Sequence, residues 1–401
     1  MLILTPPTRA TAASLRLSLA TRHRPACVVR SSGMPSSDGK HASTALGPPQ
    51  LILFYHIEKT GGNTVMHWLS TNAYATPRGL RPRLDVAAVW TSVPCFLATY
   101  PEVFTGRRWK RRCRGAGLQH NAVSWKQRIP INFPADRWQS SRMAIEFHDH
   151  TKPLFWSEVM PNIARLRRLY ASITRGGNVT TLTVLRSPLQ HLYSAWAYKP
   201  PLDAARRSVR LGFVEWARRH AIGLQAGWLA SRVPTKYHPD RGYHSTLRGQ
   251  EDVAAALNDS LRNLATFSIV GVLSCLPPLL RAVEAHAALV PIDDEATFAR
   301  RLHAPNGRPL HVRPRHLASL TSGLCGPHGH EHDDAACRGT DPTSVWQALR
   351  ANATAWLLLQ DAVRYDDVLY SAARQRSVAG DCQWPAGARR ATRTTQQRSV
   401  I

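Results

Sequence analysis

The stretch Leu51-Ile-Leu-Phe-Tyr-His-Ile-Glu-Lys-Thr-Gly-Gly-Asn-Thr-Val-Met-His-Trp-Leu69 narrows the folds open to this chain more than any other segment. Leu51 to Tyr55 is a short unbroken apolar run, the pattern of a strand covered on both faces. It runs into Lys59-Thr60-Gly61-Gly62-Asn63-Thr64, and an amphipathic stretch follows. A strand, a glycine turn and a helix start in that order form a cradle for an anion, because exposed backbone N–H groups and the helix dipole converge there. Lys59 adds a point charge, and Thr60 and Thr64 add hydroxyls. Gly61 and Gly62 permit the turn and a close backbone approach.

The order of residues discriminates between phosphate loops. A Walker A loop carries its lysine after the glycines, whereas Lys59 precedes Gly61 and Gly62. That argues against an ordinary nucleotide triphosphatase. The segment instead resembles the 5′-phosphosulfate loop of sulfotransferases that use PAPS (3′-phosphoadenosine 5′-phosphosulfate), above all the carbohydrate branch with its usual H-I-P-K-T-G-G-T-S. Glu58 stands where that branch has proline, and Asn63 where it often has threonine. Thr64 keeps a hydroxyl at the serine position.

A second segment, Thr180-Thr-Leu-Thr-Val-Leu-Arg-Ser-Pro-Leu-Gln-His-Leu-Tyr-Ser-Ala-Trp196, is again a β-branched strand entering a helix. Pro188 suits a first helical turn. Arg186 closes the strand, and Ser194 follows two helical turns on. The pair resembles the 3′-phosphate grip of sulfotransferases, in which a planar guanidinium fork and a hydroxyl hold one phosphate. His191 replaces the family's common second arginine. Two later stretches extend the likeness over roughly 51–376. Phe267-Ser-Ile-Val-Gly-Val-Leu-Ser-Cys-Leu is similar to a late family strand, with Cys275 in place of glutamate. Tyr365-Asp-Asp-Val-Leu-Tyr resembles the closing helix. The resemblance implies a P-loop-NTPase-like three-layer α/β fold with a central, mainly parallel sheet, helices on both sides and long loop insertions. It also implies PAPS bound by Lys59, Thr60, Gly61, Gly62, Asn63, Thr64, Arg186 and Ser194, sulfuryl transfer to a hydroxyl, and no metal.

Sulfuryl transfer needs a base for the acceptor hydroxyl and a cation for the departing phosphate. Lys59 suits the second role. Glu146-Phe-His-Asp-His150 follows a predicted strand between the two motifs, where related glycan sulfotransferases place a catalytic histidine or glutamate. If that strand runs through 148, alternation puts Glu146, His148 and His150 on one face. His148 is the first choice on the grounds of its neutral-range pKa, Glu146 the second and His150 the third. His56 is expected to pack or hydrogen-bond near the adenine pocket.

Composition bounds the partners. Lysine and arginine total 52 against 26 acidic residues, for a net charge of +26. Such a field draws polyanions, yet the sequence has no zinc-finger spacing, aromatic RNA-binding signature or basic heptads to select nucleic acid. A carbohydrate acceptor, an acidic polysaccharide, accounts for the sign together with an anionic donor. The competing expectation is a sulfotransferase-fold protein of weak or no activity that binds polyanions, motivated by Glu58, Asn63 and Cys275.

The expected organisation is a basic leader over 1–49, a sulfotransferase domain over 50–376, and a mobile basic tail over 377–401. Within the domain, 77–140 reads as a basic insertion, whose Arg107-Arg-Trp-Lys-Arg-Arg112 joins charge to an aromatic plate. Residues 202–262 read as largely helical around a loop at 234–249, 303–343 as a His/Gly-rich loop, and 343–376 as one final helix. The resemblance implies the Golgi lumen, normally behind a membrane anchor; no run reaches the roughly 18–20 apolar residues of a span. An anchor upstream, or a plastid or mitochondrial destination read from the Arg/Ser-rich leader, are the alternatives. Cys95 with Cys113, and Cys325 with Cys337, would each close a loop in an oxidising compartment. His328, His330 and His332 beside the second pair are the weaker candidates for a metal. Sequons at Asn178, Asn258 and Asn352 fit a secreted glycoprotein.

Overall fold

The computed structural model describes residues 48–74, 84, 86–88, 92–105, 107–118, 139, 142–198, 212–238, 242–247, 249–287, 289 and 342–377. All of them belong to the unit Leu46–Ile401. The leader 1–47, most of the 303–343 loop and the tail beyond 377 lie outside them, as do Cys325, Cys337 and the histidines between.

β1 (Gln50–Tyr55) leads through the Lys59 turn into α1 (Gly62–Tyr74). β2 (Val86–Ala88), α2 (Val93–Thr99), α3 (Arg107–Leu118) and β3 (Met143–Phe147) follow. A run of 3₁₀, α and π turns over 149–162 then enters α4 (Ile163–Ile173). Pro153 and Pro161, each lacking an amide donor, fall within that irregular run. β4 (Asn178–Leu185), α5 (Pro188–Tyr198), α6 (Phe213–His220), α7 (Leu224–Leu229), β5 (Thr235–His238), β6 (Gly242–Ser245), α8 (Gly249–Leu264), β7 (Ile269–Val272), α9 (Leu276–His286), α10 (Pro342–Ala351) and α11 (Ala353–Arg376) complete the order.

Five strands form one sheet in the order β2-β3-β1-β4-β7, with every neighbouring pair parallel. β1 is central and buried along its whole length, which is why its sequence runs apolar without alternation. Its alternate side chains serve two cores. Leu51, Leu53 and Tyr55 pack with α2, α4 and α5 on one face, while Ile52 and Phe54 pack with Val65, Trp68 and Leu69 of α1 and Leu279 of α9 on the other. The result is an α/β fold of three layers, in line with the coarse expectation.

From β1 the chain goes first to the β2–β3 side and later to the β4–β7 side. The switch between these directions lies at the carboxyl ends of β3, β1 and β4, where open α/β sheets open a crevice for ligands.

Four expectations are corrected. The 77–140 segment is more than an inserted loop, since β2 pairs with β3 as an edge of the main sheet, and α2 and α3 carry buried Phe96, Tyr100 and Trp109. The 234–249 loop contains an antiparallel hairpin, β5 with β6. The final helix is broken at Asn352, whose side chain accepts from the Ala355 amide at 3.0 Å and so caps α11. The β3 strand ends at Phe147, before His148.

Candidate functional site

Because β1, β3 and β4 are parallel neighbours, the segments leaving them emerge on one edge. The Lys59 turn leaves β1, the Glu146–His150 segment leaves β3, and Arg186 leaves β4. Arg186 Nη1 donates to the backbone carbonyl of Lys59 at 3.1 Å, so the segments leaving β1 and β4, 127 residues apart, are in contact. Arg186 Nε is buried and meets no hydrogen-bond partner among the described residues. Burial lowers the Arg186 pKa to about 10, still cationic at neutral pH.

The turn itself is tight. Lys59 has φ 65 and Gly61 has φ 93, the left-handed region that glycine enters freely and lysine at a cost. Thr60 Oγ1 donates to the Ile57 carbonyl at 2.8 Å, and the Thr64 and Val65 amides donate to the Gly61 carbonyl at 2.9 and 3.2 Å. Asn63 is exposed, whereas Thr60, Gly61, Gly62 and Thr64 are buried. The Lys59 ammonium sits 3.0 Å from the centre of the Tyr198 ring. Gly62 is required for a reason the sequence hid: a Cβ there would run into the imidazole of His56. Ser194 is half-buried on α5, the helix that begins two residues after Arg186.

His56 organises the β3 side. Its Nδ1–H donates to Glu146 Oε1 at 2.6 Å, and its ring stacks on Phe54 and on His148, with centroids 5.5 and 4.4 Å apart. Glu146 and His148 therefore share a side, as alternation requires. His150 does not. After Phe147 the backbone turns through Asp149 at φ 51 into a 3₁₀ turn, leaving the His150 side chain 65 % exposed beside Asp149. Glu146 is buried and engaged by His56, whereas the His148 side chain keeps 27 % of its surface.

Glu58, just before the Lys59 turn, is an anchor. Glu58 is buried, forms an ion pair with the fully buried Lys152, and lies 3.6 Å from His148 Nε2. Lys152 Nζ also stands 3.7 Å from the Trp228 ring centre. Burial raises the Glu58 carboxyl above its ordinary range, and Lys152 opposes that rise; burial lowers Lys152, and Glu58 opposes that fall. His191 Nε2–H donates to the Glu58 carbonyl at 2.7 Å. Burial brings its pKa to about 3, so it ties α5 to the loop as a neutral group and supplies no charge to a phosphate.

Sequence reasoning missed Lys152 and Gln225, and it quoted Asp366 in the Tyr365-Asp-Asp-Val-Leu-Tyr segment without assigning it a role. Gln225 Oε1 accepts from the Arg186 amide at 3.0 Å and Nε2 donates to the Arg186 carbonyl at 2.9 Å. Asp366 in turn accepts from the Gln225 and Ala226 amides at 3.1 and 2.9 Å. Burial raises the Asp366 carboxyl to about 7 against the pull of those amides. The available signal was slight: a lone lysine after the His148 segment, and an aspartate inside an otherwise apolar helix stripe.

The aromatic plate expected at Trp109 is corrected as well. That indole is 1 % exposed and packs in the core, with the Arg108 and Arg112 guanidinium carbons 4.4 and 5.5 Å from its ring centre. Arg108, Lys110, Arg111 and Arg112 are exposed, so α3 offers charge alone. Cys95 and Cys113 form a disulfide between α2 and α3. Among the described residues no cluster of three His, Cys, Asp or Glu could hold a metal, and no helix is long and apolar enough to cross a membrane. Comparison with family models, curated proteins and solved structures returned no match.

Proposed function

We propose that the chain transfers a sulfuryl group from PAPS to a hydroxyl of a carbohydrate acceptor, an acidic glycan, on a P-loop-like variant of the three-layer fold, with the Golgi lumen as its setting. The single observation carrying this reading is the meeting of the Lys59 turn with Arg186 at the switch point of the sheet. The residues present fit a doubly phosphorylated donor. Arg186 has a buried donor without a partner among the described residues, Lys59 brings a second cation, and α1 begins at this turn, where helix starts favour anions.

PAPS, when bound, supplies a sulfuryl group whose transfer leaves adenosine 3′,5′-bisphosphate. Lys59 and the Gly61–Gly62 amides hold the 5′ end and steady charge on the departing phosphate oxygen. Arg186, with Ser194, holds the 3′-phosphate. The imidazole of His148 would take the acceptor hydroxyl's proton in a transfer that breaks the bond between sulfur and the donor phosphate oxygen, and Glu58, 3.6 Å from Nε2, would stabilise the imidazolium. Glu146 acts through His56, which stacks on His148 and fixes its ring.

Incubation with radiolabelled PAPS and a panel of glycans tests the activity: label should pass to an acidic polysaccharide, and His148→Ala should abolish transfer while leaving nucleotide binding intact. The second reading, a polyanion-binding protein without transferase activity, draws on the buried Glu58 carboxylate beside an anion cradle and on the exposed cations of α3. It predicts glycan binding with no label transferred.

A further inference from the structure

Arg186 lies one residue beyond the end of β4, where the sheet gives out: the last β4–β7 pair is Leu185 with Val272. A backbone in that position would normally lose its ladder partner. Here the Gln225 side chain takes the place of a strand, pairing with both the amide and the carbonyl of Arg186. Gln225 is fully buried, and its primary amide offers a donor and an acceptor side by side, as a neighbouring strand's backbone would. Its own backbone is held in turn by Asp366, which is 1 % exposed and spans the Gln225 and Ala226 amides. The Gly223 amide adds a contact to the Ala362 carbonyl at 3.4 Å, one helical turn before Asp366. Three distant parts of the chain thus meet in one line running from α11 through α7 to the backbone that carries the Arg186 side chain.

We infer that Gln225 and Asp366 are positioning residues that aim Arg186 at the 3′-phosphate of the donor, so that the C-terminal helix sets the grip on that phosphate without touching it. This rests on the proposed PAPS reading. An aimed fork is worth more than a tethered one, because bidentate recognition of phosphate depends on the direction of the donors. Side chains two steps from the ligand commonly set such direction. Loosening either member leaves Arg186 present and charged, with its guanidinium still on the Lys59 carbonyl, but on a backbone no longer fixed at the end of β4.

The test compares two ligands by calorimetric titration of the full chain: adenosine 3′,5′-bisphosphate, and AMP, which lacks the 3′-phosphate. In Gln225→Glu and Asp366→Asn, affinity for the bisphosphate should fall about tenfold while affinity for AMP changes by less than about twofold. In an Arg186→Ala background neither change should matter further, because the groups act in series. A measurement on the unaltered chain guards against variants that fail to fold: the bisphosphate should slow amide exchange at Gln225 and Ala226, and AMP should not. Equal losses for both ligands, full additivity with Arg186→Ala, or equal protection by both ligands would overturn the inference and leave the proposed function standing. Binding of neither ligand by the unaltered chain would overturn both.

Discussion

Single side chains in this molecule divide into those whose role follows from residue type and those whose role follows only from neighbours. Lys59, Arg186 and the glycines belong to the first kind, since a lysine, a glycine pair and a strand-end arginine at those spacings are the residue types the proposed anion site needs. Glu58 and Lys152 belong to the second. A glutamate in the loop looked like a departure, and its partner lies 94 residues away on an irregular helical turn that no periodicity marks. Lys152→Met should therefore cost about 3–5 kcal/mol by denaturant melting, because it removes the buried ion-pair partner of Glu58, and Glu58→Leu in the same chain should recover much of the loss. Gly62→Ala should displace His56, break its bond to Glu146, and lower stability by roughly 1–3 kcal/mol together with any transferase activity.

His191 gives a pH-dependent outcome with a defined sign. Its pKa is about 3 in the fold against an ordinary 6.5, so the unfolded chain binds the proton more readily. Its contribution is then present above pH 6.5 and drains away as the pH falls toward about 3. Asp366 works the other way. Raised to about 7 from 3.8, it contributes most below pH 3.8 and loses that contribution as the pH rises through about 7. His191→Gln keeps a donor for the Glu58 carbonyl and removes the titration. Its melting temperature should fall less than that of the unaltered chain between about pH 7 and pH 4, as scanning calorimetry would measure; an equal fall would contradict the assignment.

Secondary-structure elements were legible where one force dominated. β1 and β4 are long apolar or β-branched runs, and α1 follows a glycine turn, so pattern and structure agree. The β5–β6 hairpin was not legible: Thr235-Lys-Tyr-His and Gly242-Tyr-His-Ser alternate weakly and sit among proline, glycine and histidine, while β6 is tied to α6 by Trp216 donating to the Tyr243 carbonyl at 3.1 Å, a contact no local pattern marks. The break at Asn352 hid inside a continuous helical composition, because one residue outside the helical region suffices to end α10 and start α11. The insertion concealed structure for a different reason. Its cysteines are 18 residues apart, and the bond between them fastens α3 to α2, whose aromatic residues fill the sheet's first core. Reducing that bond, or Cys95→Ala with Cys113→Ala, should lower stability by about 3 kcal/mol on the loop-closure scale, read as a lower melting temperature; no change on reduction would contradict its structural role.

In the whole molecule, the resemblance drawn from two short motifs anticipated an α/β architecture with a parallel sheet between layers of helices. The order β2-β3-β1-β4-β7 explains why residues 59, 148 and 186 come together: three parallel neighbours release their chains on the same side. Sequence distance conceals this, and strand pairing restores it. The net charge of +26 is spread over far more arginines than one crevice can use, and α3 shows part of it as exposed cations beside a buried indole. Binding of an acidic glycan there should weaken steeply with salt, as association dominated by released counterions does.

The account stands most directly on calorimetric titration of adenosine 3′,5′-bisphosphate into the unaltered chain and into Lys59→Ala and Arg186→Ala. Saturable one-to-one binding, weakened about tenfold or more by each substitution, is the predicted result. Absence of binding, or binding that neither substitution changes, would contradict the claim that these two strand ends hold one nucleotide between them.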